Sequence, residues 1–437
     1  MLSKEDNELP TRIGPGTPMG NLMRQYWLPF MLSEEVPEAD GNPVRVRLLG
    51  EDLIAFRDTA GRVGLLGNHC PHRGASLFFG RNEECGLRCV YHGWKYDVTG
   101  QCTDMPNEPP ESNFKDKIRH TAYPTRELNG ILWAYMGPRH EPPPVPELEW
   151  AMLPESHRVL RPFVRECNWM QALEGDIDSA HSSFLHSVLS SDLIGDQGTG
   201  LKHTDRAPRF CLMDTDYGVK IGVERRASDE HSYWRITQFL IPIFTMFPPT
   251  GEHAEMVPGH VWIPMDDETT LVWSVYWHPL RPVGDGVAPR PQGRRSQAFD
   301  GPEEYLPPTT APAGRWRWKA NARNDYLLDY EAQRTRRFSG IPTIPLQDQA
   351  VTESMGPTMN RTSEHLGSTD AAIIRARRRL MEAAVHLRDT GIPPASVDDP
   401  ALFRVRSASG LLPKDASWLD GTNEWLRAQP GQAVVSA

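Results

Sequence analysis

From Pro43 to Leu66 apolar and polar positions alternate. Val44, Val46 and Leu48 share one face, Gly50-Glu51 interrupts, Leu53 to Phe56 resumes, and Asp58-Thr59-Ala60-Gly61 supplies a turn. A period of two over such short runs predicts a small antiparallel β unit. Strand-like stretches at 90–98 and 130–136 extend it, so residues 40–140 are expected to form a compact β domain. Glu141 to Pro146 holds four prolines in six residues, which neither continue a helix nor donate to a ladder, and the domain boundary is placed there. Residues 1–39 are expected to pack as an N-terminal segment on the second domain, residues 147–437. In that domain 168–186 has helical character. Strands are expected near 217–224, 233–241, 259–264 and 270–277, the last alternating as Leu271, Trp273, Val275, Trp277. Residues 279–315, rich in Pro, Gly and Arg, read as a long loop. Helices are expected over 317–338 and 370–389. The latter carries Ile373, Ile374, Leu380, Met381, Ala384 and Leu387 on one face and arginines on the other, read as a solvated face. The class is α+β: a β domain, then an antiparallel sheet covered by helices.

The 437 residues exceed what one core usually supports, in agreement with two domains. A 39% hydrophobic, 24% charged chain with 13 Trp, 14 Phe and 11 Tyr has ample core material. A formal net charge of −10 without a basic, aromatic-laced stripe argues against a nucleic-acid partner. No apolar run approaches the roughly 18 residues that span a bilayer and the N-terminus lacks an apolar h-region, so no membrane partner and a cytoplasmic location are expected. Six cysteines are too few for a disulfide scaffold. Cys85, Cys102, Cys167 and Cys211 read as plain thiols.

The other two cysteines sit in Cys70-Pro-His72 and Cys89-Val-Tyr-His92. Structural zinc usually pairs C-x2-4-C with H-x3-5-H, whereas here each half carries one Cys and one His. A Rieske [2Fe-2S] centre needs two thiolates on one iron and two imidazoles on the other, brought by two opposed loops, and this spacing supplies one of each per loop. Gly74 and Gly93 let the backbone turn closely around such a cluster.

About a hundred residues later comes Asp178-x-x-His181-x4-His186. On a helix Glu174, Asp178 and His181 fall on one stripe. His186 is rotated from it by roughly 140°, so the helix must break near Ser182 to Leu185 if both histidines are to share a metal. A mononuclear non-haem iron that activates O2 takes two imidazoles and one carboxylate, leaving positions open. The carboxylate must then be an Asp or Glu from elsewhere in the chain.

Cys70-Pro-His72-Arg-Gly-Ala-Ser-Leu, Cys89-Val-Tyr-His92-Gly-Trp-Lys and Glu174-Gly-Asp-Ile-Asp178-Ser-Ala-His181-Ser-Ser-Phe-Leu-His186 together resemble the large subunit of Rieske non-haem iron aromatic-ring oxygenases. Asn324-Asp-Tyr, Leu346-Gln-Asp348-Gln-Ala-Val-Thr-Glu-Ser-Met-Gly356 and Arg361-Thr-Ser-Glu-His-Leu-Gly367 point to the phthalate dioxygenase branch. The resemblance implies a Rieske domain followed by a helix-grip catalytic domain, assembled as a homotrimer or stacked trimers. It implies Cys70, His72, Cys89 and His92 as cluster ligands and His181, His186 and Asp348 as iron ligands; Asp370, Glu353 and Asp329 compete for the last role. It also implies that Asp178 bridges His92 of one chain to His181 of the next, beside the simpler reading in which Asp178 orients His181.

The chain carries no G-x-G-x-x-G after a strand and no flavin signature, so NADH must be oxidised by a separate reductase. The resemblance implies a flavin and iron-sulfur protein in that role, and O2-dependent cis-dihydroxylation of an aromatic carboxylate such as phthalate or a related benzoate. Monooxygenation or O-demethylation of a substituted aromatic acid is the alternative, and a Rieske electron carrier or regulatory protein a more distant one. A carboxylate substrate calls for a cation near the iron. Arg235 is the first candidate, then Arg209 and Arg206.

Overall fold

The computed structural model describes residues 2–189, 201, 205–248, 256–283 and 304–428. Most of the long loop expected over 279–315, including Arg290 to Arg295, lies outside them.

The N-terminal unit is built from short hairpins. After β1 (Trp27–Leu32), strands β2 (Val44–Leu48), β3 (Glu51–Arg57) and β4 (Val63–Gly67) form one antiparallel sheet. Strands β5 (Arg81–Glu83), β6 (Gly86–Arg88), β7 (Lys95–Tyr96) and β8 (Cys102–Asp104) form a second. β9 (Thr125–Leu128) and β10 (Ile131–Tyr135) join β1 in a third. Three of the hairpins turn on two residues, both at positive φ: Leu49-Gly50, Glu84-Cys85 and Asn129-Gly130. Only Asn-Gly is a composition that favours such a turn. Leu49 accepts φ 48° because its fully buried side chain and two backbone bonds hold it. Its N–H donates to Pro264 O (3.0 Å) and that of Gly50 to Met265 O (2.8 Å), which fastens the hairpin tip to the end of a strand in the C-terminal unit.

That unit is an eight-stranded antiparallel sheet of β11 (Arg158–Arg165), β12 (Arg209–Thr215), β13 (Gly218–Arg226), β14 (His231–Leu240), β15 (Phe244–Met246), β16 (Val257–Pro264), β17 (Thr270–Trp277) and β18 (Ala408–Pro413). The order is β11-β17-β16-β15-β14-β13-β12, with β18 also on β14. Cross-strand partners share a face. The ladders align Ser274, His260, Thr245 and Phe239, and two residues from Phe239 along β14 bring Thr237 and then Arg235 to the same face. The helix α1 (Trp169–Ile177) lies over that face, against β14, β15 and β16. Trp273, Val275 and Trp277 point the other way into the main core, which continues through Trp133 of the N-terminal unit. Residues Lys4–Thr11 pack on the C-terminal unit, where Pro10 O accepts from Trp169 Nε1 (3.0 Å), while β1 belongs to the sheet of β9 and β10.

Three expectations need correction. The helix over 168–186 ends at Ile177: Asp178 is its cap, and Oδ1 of Asp178 accepts from the N–H groups of Ala180 (2.7 Å) and His181 (3.4 Å). The break thus precedes His181, because Gly175, Asp176, Asp178 and Ser179 have low helix propensity and favour caps and turns. Over 317–338 there is no continuous helix, since Asp325, Tyr326 and Leu327 all take positive φ and only Tyr330–Thr335 is α-helical. The arginines of the helix α2 (Ala371–Thr390) are not all solvated. Arg377, 3% exposed, bonds to Glu174 and Glu364, and Glu174 also accepts from Arg361, which is fully buried.

Glu174 is therefore shared by two buried guanidiniums, with Glu364 as the second counter-charge on Arg377. Burial opposes its ionisation, but Arg361 and Arg377 outweigh that and hold its carboxyl below the usual range. Glu174→Ala strands Arg361 without a counter-charge. A loss of about 3–5 kcal/mol is expected, read as a lower urea midpoint of the purified protein.

Candidate metal centres and cavity

Two loops of the N-terminal unit repeat one hydrogen-bond pattern. Cys70 N–H donates to Ala75 O (2.9 Å) and Gly74 N–H to Cys70 O (2.8 Å); Cys89 N–H donates to Trp94 O (2.8 Å) and Gly93 N–H to Cys89 O (2.9 Å). Both turns need a left-handed residue, and Gly74 (φ 74°) and Gly93 (φ 81°) supply it. A Cβ at Gly93 would also meet Pro106 at 2.5 Å. The loops bury their thiols, Cys70 at 2% and Cys89 at 3% exposure, and leave His72 and His92 half-buried with ring centroids 4.4 Å apart. Tyr96 Oη lies 3.3 Å from Cys70 Sγ, and His72 stacks on Trp94. Two thiols inside and two imidazoles outside form an asymmetric donor set that suits a [2Fe-2S] cluster with its histidine end toward the surface.

In the C-terminal unit His181, on a 3-10 turn after α1, meets His186 and Asp348, the latter from the helix α3 (Ile344–Glu353). His181 Nε2 is 3.0 Å from His186 Nε2, and Asp348 Oδ1 is 3.3 Å from His186 Nε2 and 3.6 Å from His181 Nε2. These three donors converge on one point, the 2-His-1-carboxylate set of non-haem iron. Burial opposes ionisation of Asp348, yet the His186 and His181 imidazoles and Arg165 hold its pKa at about 2. The competing carboxylates are engaged elsewhere. Glu353 accepts from Tyr326 Oη and Gln349, Asp329 caps the Tyr330–Thr335 helix, and Asp370 accepts from Gly367 N–H.

Both histidines have a partner on the ring nitrogen facing away from that point. Asp178 Oδ2 is 3.5 Å from His181 Nδ1, and Gln347 Oε1 is 2.8 Å from His186 Nδ1. Gln347 in turn donates to Ile341 O (2.9 Å). The sequence reading missed Gln347, although its place beside Asp348 was the available signal. Gln347→Leu frees the His186 ring to turn; a 10–100-fold weaker iron affinity is expected, measured by chelator competition.

The chain matches the Rieske [2Fe-2S] domain family over residues 26–123 and the LigXa C-terminal domain like family over 134–434. It is 41% identical to the 3-chlorobenzoate-3,4-dioxygenase oxygenase subunit of Comamonas testosteroni, over 96% of this chain and 97% of that one. It belongs to the Rieske non-haem iron oxygenases. It is also 38% identical to the phthalate 4,5-dioxygenase oxygenase subunit of Pseudomonas putida, over 100% of this chain and 98% of that one. The fold is that of the oxygenase in an oxygenase–ferredoxin complex of carbazole 1,9a-dioxygenase, with TM-score 0.54 and 19% identity over 87% of this chain and 95% of that one. This Rieske oxygenase is therefore a ring-hydroxylating oxygenase subunit whose cofactors are a [2Fe-2S] cluster and a mononuclear iron. Among the described residues no helix is long and apolar enough to cross a membrane.

The trio opens into a cavity between α1, the sheet and the start of α3. Phe163, Phe247, Pro248, Pro258, Ile344 and Pro345 make its apolar walls, and its polar lining beside the trio includes Arg235, Arg165, Asp176, His260, Ser274 and Tyr276. Arg235 NH2 donates to Pro248 O (3.3 Å), while its Nε and NH1 are buried without a partner among the described residues. Arg225, fully buried, donates to Ser179 O (2.7 Å); burial, aided by the neighbouring Arg235 charge, pulls its pKa to about 10. The other two arginine candidates lie elsewhere. Arg209 is paired with Glu224 near the edge of the sheet, and Arg206 packs over the Phe184 ring. Neither lines the cavity.

Proposed function

We propose that this oxygenase adds O2 across the ring of an aromatic carboxylate, phthalate or a related benzoate, to give a cis-dihydrodiol. Cys70, His72, Cys89 and His92 hold the cluster, and His181, His186 and Asp348 hold the iron. When bound, the iron supplies O2 activation and the cluster supplies electrons singly. The residues of the chain do the rest. Phe163, Phe247 and the prolines clasp an aromatic ring and exclude water, and Arg235 holds the carboxylate. Arg235 is the observation that carries the reading. Its Nε and NH1 are buried donors without a partner among the described residues, either of which a carboxylate oxygen can satisfy, and a bound anion relieves the repulsion between Arg235 and Arg225.

Electrons come from NADH through a separate flavin and iron-sulfur reductase, in the cytoplasm. The oxygenase works as a homotrimer or stacked trimers, in which Asp178 bridges His181 to His92 of a neighbouring copy. Exposed apolar side chains at both ends support such a junction: Phe79, Val90 and Tyr91 beside the cluster loops, and Phe184, Val351 and Met355 beside the trio. An electron carrier or regulator would have no use for the convergent trio of His181, His186 and Asp348.

Oxygen uptake driven by NADH and a surrogate reductase, with product identification, tests the reaction. A dihydrodiol from an aromatic acid supports it; a phenol or an aldehyde points to monooxygenation or O-demethylation instead. Arg235→Met is expected to raise KM for the acid about 100-fold, the worth of a buried charged hydrogen-bond pair, with a much smaller change in kcat. A KM within threefold of the parent removes Arg235 from the site.

A further inference from the structure

His260 and Ser274 form a second polar spot in the cavity, built by a hydrogen-bond chain with a fixed direction. Trp262 Nε1–H, which is only a donor, bonds to Thr245 Oγ1 (2.9 Å), so the Thr245 hydroxyl turns its proton to Asp176 Oδ2 (2.5 Å). Asp176 Oδ2 also accepts from His260 Nδ1 (2.7 Å), which places the proton of the imidazole on Nδ1 and aims Nε2 at Ser274 Oγ (3.2 Å). His260, Ser274 and Asp176 all line the cavity. The ladder explains the alignment: Thr245, His260 and Ser274 are successive cross-strand partners on the face under α1, and Asp176 comes down from α1 onto them. Phe247 leans on the His260 ring at 5.1 Å between centroids and narrows its orientation.

We propose that His260 and Ser274 are specificity-determining residues that bind a neutral oxygen substituent, a hydroxyl or an alkoxy group, on the substrate ring. The proposal rests on the aromatic-acid reading above and narrows it. Together the imidazole and the hydroxyl both donate and accept, which suits a phenolic O–H or an ether oxygen. A second carboxylate is disfavoured there, since the Asp176 carboxylate lies one imidazole away and like charges repel. The other cation of the lining, Arg165, is engaged with Thr352 Oγ1 and adds to the field on Asp348. One carboxylate at Arg235 and one uncharged oxygen at Ser274 is the charge balance the lining offers. Asp176 touches His260 and acts through it, as a positioning residue.

The test compares 3-hydroxybenzoate, 3-methoxybenzoate, 3-chlorobenzoate and phthalate on the assembled holo-oxygenase, with the 2- and 4-isomers alongside. KM is read from oxygen uptake and Kd from anaerobic equilibrium dialysis. The hydroxy or methoxy acid is expected to bind about tenfold more tightly than the chloro acid and phthalate, one hydrogen bond's worth. His260→Phe is expected to shrink that ratio to about twofold. Asp176→Asn is expected to lower it in part, through KM rather than kcat, with Asp176→Glu restoring it. Preference of the parent for phthalate or the chloro acid overturns the proposal, and so does an undiminished ratio in His260→Phe. Should His260→Phe not assemble, the ratio in Ser274→Ala decides in the same way. If no aromatic acid binds the parent protein, the aromatic-acid reading itself falls; discrimination absent among acids that do bind defeats only this inference.

Discussion

Asp348→Ala is expected to lose the mononuclear iron, and turnover with it by about a thousandfold or more, while the visible spectrum of the cluster stays intact. The geometry separates the two outcomes. Asp348 sits on α3 of the C-terminal unit, within 3.3 Å of His186 and 3.6 Å of His181, and has no contact with the cysteine loops. Removing it leaves two imidazoles, too few donors to retain iron against a chelator, and also takes away the charge that offsets the cation. Iron and acid-labile sulfide analysis beside oxygen uptake makes the check. A variant that still holds the third iron would show that Glu353 or another carboxylate ligates instead.

The second large effect concerns delivery of electrons. Asp178→Asn is expected to keep both metal complements yet slow the passage of electrons from the reduced cluster about 100-fold or more. Asparagine preserves the Oδ1 contacts to the Ala180 and His181 N–H groups, which hold the turn between α1 and the 3-10 turn at His181, so the loop should stay folded. What changes is the charge on the atom facing His181 Nδ1 at 3.5 Å. Stopped-flow reoxidation of the prereduced cluster with substrate and O2, in a single turnover, reads the step directly. Reoxidation at the parental rate would reduce Asp178 to a helix cap. A parallel loss of iron would mean that its main work is to orient His181.

Much of this was legible from local pattern. Cys70-x-His72 and Cys89-x-x-His92 carry their own geometry, because the glycine four places after each cysteine, Gly74 and Gly93, is what lets the chain reverse. Alternation located β13, β14, β16 and β17, and the apolar face located α2. The rest depends on partners distant in sequence. Glu174, aligned with Asp178 and His181 on paper, is claimed by Arg361 and Arg377, nearly two hundred residues away or more. Leu49-Gly50 and Glu84-Cys85 make tight turns without turn composition, because tertiary contacts and not local preference set their φ. His260 and Ser274 are ordinary residues in two strands until the register sets them side by side under Asp176.

The Leu49-Gly50 tip has a bearing on modularity. The proline-rich stretch after residue 140 invites use as a splice point for exchanging the iron-sulfur half between oxygenases. The tip, however, is bolted to Pro264 and Met265 by two backbone bonds and a buried leucine. A graft cut only at the prolines would therefore bring in a foreign plug for a native socket. Successful chimaeras, and natural recombination in this lineage, should exchange the 48–51 turn and the 264–265 strand end together.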